Sequence, residues 1–386
     1  MDQEKLNRRW NPYVLLHDEA VNELWKDHFS KNHGKTLFIL GKGFDGRMNL
    51  CIESLLNKCP DLDISTILIS FDEGKSSNSH EYADLVTENV TQLEQLLTNR
   101  ILEHKNIQLW NSRGKKRRRI GDREAANLFN DYDAIKDFNN IIVDISALPR
   151  GIYFSLIGKL LSLIDEYCKD FSINLFVCVA ENASIDNLIQ ENSIDEDIDY
   201  LFGFGGEISL EANSDKPLIW FPILGETKTQ HLRKAFGKIT ESKDRLYEIC
   251  PTLPFPSKNP RRSDTIFNEH HELLFDELSI EPQNIMYVHE RNPFEVYNKL
   301  SEAVSNYQDS LKIINGCKVA LSTFSSKLLS IGTLLTAFEN KDNVGILNVD
   351  SQGYKIVDKI SLKKLKSESE LFVTWLSGIP YNDTSK

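Results

Sequence analysis

The sequence predicts an α/β protein of two Rossmann-like, doubly wound lobes, and three observations predict it. From Lys35 onward, short β-branched apolar runs alternate with longer helical patterns, the rhythm of βαβ units and a parallel sheet. That rhythm stops after Glu181 and restarts near residue 216. One junction is also repeated. NNIIVDISALPRGIYFSLIGKLL in the first half matches GCKVALSTFSSKLLSIGTLLTAF in the second. Both run in the order buried strand, Ser146 or Ser322, small loop, Arg150 or Lys327, then an apolar helix holding a glycine. TLFILGKGFDGR and LIWFPILGETKT correspond in the same way. Self-similarity at this level points to a tandem duplication. Convergence is the alternative, because all βα junctions share part of this grammar.

The elements follow in order. Residues from about Trp10 to Phe29 read as an amphipathic helix, so 1–34 is an N-terminal helical segment. Lobe one, 35–183, has strand candidates TLFILGKG, STILISFDE, NIQLW, NNIIVDIS and INLFVCVAE. Between them lie the helical patterns RMNLCIESLLNK, HEYADLVTENVTQLEQLLTNRILEH, DREAANLFNDYDAIKDF and GIYFSLIGKLLSLIDEYCKDF. The stretch 184–215 reads as an acidic connection ending in a β-hairpin at FGFGGEISLEA. Lobe two, 216–358, has strands PLIWFPILG, RLYEICPTLPF, QNIMYVHE, CKVALSTF and NVGILNVD, and YKIVDKI as a possible edge strand. Residues 359–386 form a C-terminal amphipathic segment.

Composition narrows the class. A chain of 386 residues has room for two cores, and 40% hydrophobic with 26% charged residues is globular. A net charge of −12 argues against a wholesale nucleic-acid coat. No run is apolar enough to span a bilayer, and MDQEKLNRRW lacks the apolar core of a signal peptide, so the expected location is the cytoplasm, away from membranes. The six cysteines are scattered without zinc spacing and read as buried structural thiols. His270 and His271 with Glu269 and Glu272 read as a solvated helix face, because adjacent helical positions diverge by about 100°. No metal is expected.

Ligands of open α/β sheets bind beyond the carboxyl ends of the strands, so each βα loop is a candidate. The first loop, Gly41-Lys42-Gly43-Phe44-Asp45-Gly46-Arg47, has glycines for close approach and a helix start for an anion. Its G-x-G-x-x-G spacing, with Asp72 ending the second strand to meet ribose hydroxyls, is compatible with dinucleotide binding. Lys42 and Asp45 are unusual inside such a loop, however, and no cofactor is expected. A glycine turn that only packs helix on sheet explains it as well. In the fourth loop Asp144 ends a buried strand, Ser146 offers a hydroxyl and Arg150 opens a helix, a set suited to phosphate or carboxylate. The alternative is an Asp and a Ser that cap the helix. The second lobe offers Ser322, Ser325, Ser326 and Lys327 at the matching place.

The strand–D-x-S–helix arrangement of Asp144 and Ser146, with the order of strands in lobe one, resembles the CRISPR-associated Rossmann-fold (CARF-like) sensor domains. The resemblance implies a nucleotide-binding sensor in bacterial defence, with a cyclic oligonucleotide at this position. Ala147-Leu148-Pro149-Arg150 stands where those sensors commonly carry glycines and a lysine, so the ligand's identity does not carry over.

Lys115, Lys116, Arg117, Arg118 and Arg119 form a basic run suited to nucleic acid or an acidic protein partner, or to plain solvation. Three functions remain. The first is a cytosolic sensor or adaptor that binds a nucleotide-like or phosphorylated anion. The second is an enzyme, a hydrolase or transferase, on such a molecule, using carboxylates such as Asp144, Asp72, Glu181 or Glu290. The third is a structural subunit of an oligomer or larger complex.

Overall fold

The computed structural model describes residues 8–31, 34–72, 79–111, 118–167, 173–191, 193–205, 216–241 and 246–381. The chain opens with β1 (Val14–His17) and α1 (Glu19–Lys31), not one helix. Pro12 precedes the strand and Asp18, at φ 52°, breaks the backbone between strand and helix. Then follow β2 (Thr36–Gly41), α2 (Leu50–Lys58), β3 (Ile64–Asp72), α3 (Ala83–Leu96) and β4 (Ile101–Gln108). The helical pattern expected to continue through ILEH ends early. Asn99 at φ 65° stops it, and Ile101–His104 pair with β3 instead. Next come the small hairpin β5 (Trp110–Asn111) and β6 (Arg118–Arg119), then α4 (Gly121–Ala126), β7 (Asn140–Asp144), α5 (Arg150–Tyr167), β8 (Asn174–Glu181), α6 (Ala183–Leu188) and β9 (Ile189–Glu191).

The second rhythm starts with β10 (Asp199–Tyr200). It continues through β11 (Leu218–Ile223), α7 (Thr229–Glu241), β12 (Leu246–Ile249), β13 (Thr252–Pro254), α8 (Arg262–His271) and β14 (Met286–Val288). It ends with α9 (Pro293–Ser310), β15 (Lys318–Thr323), α10 (Lys327–Glu339) and β16 (Val344–Asn348). The chain closes with β17 (Tyr354–Ile356), α11 (Lys359–Leu365) and β18 (Glu370–Ser377). The second arm of the hairpin expected at FGFGGEISLEA lies outside the described residues.

Two compact units result. The first holds Pro12–Ser193 and 351–381, and its sheet runs β1-β18-β8-β7-β2-β3-β4. From β4 to β8 all strands are parallel, in the order 3-2-1-4-5 of a Rossmann half, with β18 and β1 added antiparallel at the β8 side. The second unit holds residues 8–11 and 194–350, and its sheet runs β10-β16-β15-β11-β13-β14. Counting β12 and β13 as one bent strand beside β11, this too is 3-2-1-4-5 with one antiparallel addition, β10. The same order in both units is what a duplication requires.

The contiguous lobe boundaries give way to an exchange of chain ends. The expected C-terminal amphipathic segment supplies β18, buried between β8 and β1 in the first unit. The expected edge strand YKIVDKI pairs only with β9, in a two-stranded sheet. Residues 8–11 join the second unit, where Trp10 is fully buried edge-on against Tyr297 at 5.2 Å and the Arg9 guanidinium lies 4.9 Å from the Trp10 ring. Tyr297 donates to Glu339 Oε2 at 2.5 Å, while Glu339 Oε1 accepts the Arg9 N–H at 3.1 Å.

At the amino ends of the first unit's strands, His28 sits among Phe29, Phe176 and Trp375, with ring centroids 4.9 to 5.4 Å away. Its Nε2–H donates to Asn140 Oδ1 at 2.8 Å, and Asn174 Nδ2 donates to the same oxygen at 3.1 Å. Burial holds the imidazole below its ordinary pKa, against a smaller upward pull from Asn140. The unfolded chain therefore takes up a proton more readily, so His28's contribution is full above about pH 6.5 and is lost as pH falls below it. Urea unfolding at pH 7.5 and pH 5 should show wild type losing more stability on acidification than His28→Gln. Equal losses would contradict the neutral, buried histidine.

Candidate functional site

In both units the loop after the first strand lies directly on the loop after the fourth. A Cβ on Gly41 would stand 2.7 Å from Leu148 Cδ2 and 3.0 Å from the Ala147 carbonyl carbon, and one on Gly43 would stand 3.2 Å from Ala147 Cβ. In the second unit a Cβ on Gly225 would stand 2.2 Å from the Phe324 carbonyl oxygen. The glycines thus serve loop-on-loop packing across the point where strand order reverses.

The first loop of the first unit is tied down on every side. The Lys42 N–H donates to the Ile69 carbonyl at 2.8 Å, and Asn89 donates to the Gly43 carbonyl at 3.0 Å. Asp45 caps the short 3₁₀ turn Gly46–Asn49 by accepting the Arg47 N–H at 2.9 Å. Arg47, only 6% exposed, is clamped by Asp45 at 2.7 Å and by Asp186 of α6 at 2.8 Å. Burial alone would lower the guanidinium's pKa, but the two carboxylates outweigh it and push it upward. Arg47 is therefore held by internal acids. Asp72 ends β3 exposed, opposite Gln108 of β4.

The fourth loop is equally committed. Asp144 is buried and its Oδ1 accepts the Ser146 N–H at 2.9 Å. Ser146 Oγ in turn accepts the Ala180 N–H of β8 at 2.9 Å. Both side chains brace the strand ends, and the bonds they make run to the loop and to β8 rather than capping α5. Arg150 is half-buried at the first position of α5.

In the second unit Ser322 is fully buried and accepts the Trp220 Nε1–H at 3.1 Å. Ser326 caps α10 by accepting the Leu329 N–H at 3.2 Å, Ser325 is half-buried beside it, and Lys327 opens the helix. Aligning the helix starts of α5 and α10 places Thr323, rather than Ser322, opposite Ser146. Sequence reasoning passed Thr323 over. Its hydroxyl is buried at the end of β15 without a hydrogen-bond partner.

Other strand-end residues form a charged cluster in the second unit. Arg262 pairs with Glu290 and reaches Glu226 at 3.7 Å, while Glu290 also accepts the Lys258 N–H at 2.7 Å. His270 is buried, not on a solvated face. Its Nε2–H donates to the Gly225 carbonyl at 2.9 Å, and its Nδ1 lies 3.0 Å from Thr229 Oγ1. His271, Glu269 and Glu272 are exposed as expected. Of the basic run, Arg118 is exposed and Arg119 lies 5.4 Å from the Trp110 ring, while Lys115, Lys116 and Arg117 fall outside the described residues. Cys51, Cys178, Cys250 and Cys317 are buried thiols and Cys59 is half-buried. Among the described residues no helix is long and apolar enough to cross a membrane.

No family model matches the chain, and no curated protein does. Among solved structures it is similar to a candidate universal stress protein from Pseudomonas aeruginosa UCBPP-PA14, at 10% identity and TM-score 0.22 over 86% of this chain and 98% of that one. It is similar also to a functionally unknown protein from Pseudomonas aeruginosa PAO1, at 10% identity and TM-score 0.20 over 87% and 98%. Neither is described as a CRISPR-associated sensor. Similarity of this degree adds nothing to the fold, which rests on the two strand orders themselves.

Ser146→Ala should cost about 1–3 kcal/mol of unfolding free energy, because the buried Ala180 N–H loses its acceptor. Urea titration measures this. A variant as stable as wild type would refute the bracing role.

Proposed function

We propose that the chain is a binding module, a sensor or adaptor, for a phosphate-bearing, nucleotide-like anion received at the carboxyl ends of its strands. The observation that carries this reading is the junction between β15 and α10. Thr323 Oγ1 is buried there without a partner, at the start of a 13-residue helix opened by Lys327. An unsatisfied buried hydroxyl costs about 1–3 kcal/mol, a cost that an accepting ligand oxygen would relieve. The positive end of the helix dipole and the Lys327 ammonium favour an anion at the same place. A phosphate oxygen accepting from Thr323 would satisfy the hydroxyl and meet the lysine charge together. Ser325 lies on the same turn. Arg150 is the first unit's counterpart, but there the matching hydroxyl, Ser146, is already used by Ala180. The second unit is therefore the favoured site, with Arg150 the weaker one.

Thr323→Val and Lys327→Ala separate this reading from a purely structural one. Calorimetric titration with pyrophosphate and with ATP should show Lys327→Ala weakened by tens-fold, the scale of losing a desolvated charged partner. Thr323→Val should bind several-fold more weakly while unfolding at the same or higher urea concentration, since it removes an unsatisfied polar atom. Arg150→Ala should have the smaller effect. Unchanged affinity in both second-unit variants, or no binding of either probe by wild type, would overturn the proposal.

A further inference from the structure

The loop that follows β13 in the second unit carries a feature that the anion site does not use. Phe255 and Tyr287 are 51% and 46% exposed, and their rings meet edge-on at 6.1 Å. Among the described residues each has only the other as a ring partner. Two large aromatic side chains held in water at one place are unusual for a surface that has no use for them.

Their position is fixed by a dense set of bonds. The Phe255 N–H donates to the Val288 carbonyl at 2.6 Å, and the Glu290 N–H donates to the Pro256 carbonyl at 3.0 Å. Ser263 Oγ–H donates to the Pro254 carbonyl at 2.6 Å, and Ser257 Oγ–H donates to the Asn259 carbonyl at 2.7 Å. Asn259 Oδ1 accepts the Arg261 N–H at 3.1 Å. Glu290 binds both the Lys258 N–H and the Arg262 guanidinium, which Glu226 also approaches. The rings are thus presented by a pre-ordered loop, which lowers the entropic cost of binding.

The same loop supplies charge. Arg262 is committed to Glu290 and Glu226. Lys258 and Arg261 are exposed, and among the described residues the Arg261 guanidinium makes no hydrogen bond or ion pair. The acid of this stretch, Asp264, faces solvent in the first turn of α8. Pairing of β14 with another strand is disfavoured, because Lys299 Nζ–H already donates to the Tyr287 carbonyl at 2.6 Å.

We infer that Phe255 and Tyr287, flanked by Lys258 and Arg261, form a stacking platform for single-stranded nucleic acid. Exposed aromatic faces accept any base, and adjacent cations follow the phosphates. This site stands independently of the Thr323–Lys327 reading, since it shares no residue with it.

Fluorescence anisotropy with a labelled ten-nucleotide single strand, an abasic strand of equal length and ATP tests the inference on the full chain. Wild type should bind the single strand in a salt-sensitive manner, and the abasic strand roughly tenfold or more weakly. Phe255→Ala/Tyr287→Ala, at two positions about half exposed, should lose that advantage and bind both strands alike. Arg261→Ser should reduce the steepness of the salt dependence. Equal binding of intact and abasic strands by wild type, an unaffected double variant, or binding of ATP without the strand would each overturn it. Pyrophosphate affinity should be the same in wild type and the double variant, which keeps a failure here distinct from a failure at Lys327.

Discussion

The contact between the loop after the first strand and the loop after the fourth governs both units. Strands one and four are neighbours in a 3-2-1-4-5 sheet, and their helices leave on opposite faces, so the loops diverge and leave a crevice unless something brings them together. Here glycine does. Any side chain at Gly41 would meet Leu148 and the Ala147 backbone, and one at Gly225 would overlap the Phe324 carbonyl. The closed crevice leaves little space between the loops. On the proposed reading a ligand is received farther out, at the starts of the helices that follow the fourth strands.

Around that contact most strand-end polar groups are spent on architecture. Arg47 is neutralised by Asp45 and Asp186, Ser146 holds Ala180, Ser322 holds Trp220, and His270 holds Gly225. These are buried groups that would cost stability if left unmade, so their first duty is to each other. The two junctions are alike in topology but differ in this respect. Ser146 has found a backbone donor on β8, whereas Thr323 has none. Two junctions of the same topology are thus chemically unequal, and on the proposed reading that inequality favours the second unit.

The sequence made the parallel core legible because its signals are local. Runs such as TLFILG and NIIVD are continuously apolar, as strands buried on both faces must be, and the helices between them are periodic. The antiparallel additions were not legible. Val14 pairs with Trp375 across nearly the whole chain, and nothing near either residue announces the other. VLLH therefore reads as part of a helix, and ELFVTWLS as a terminal amphipathic segment, until the pairing is seen. The helix stop at Asn99 was hidden because asparagine in the left-handed region is set by context. The candidate loops were found by topology, but the roles within them were not. Whether a serine binds a ligand or a neighbouring strand depends on which backbone donor stands beside it, and Ala180 is remote from Ser146 in sequence. Thr323 was missed because the repeated junction was aligned on the serine rather than on the helix start.

The most direct test of this account is amide hydrogen exchange, followed by mass spectrometry, with and without saturating pyrophosphate. Binding at the start of α10 predicts slowed exchange in peptides covering 323–330, with 146–153 of the first unit changing less and the amino ends of both sheets not at all. Protection confined to another part of the chain, or none at a pyrophosphate concentration that calorimetry shows to be saturating, would contradict it.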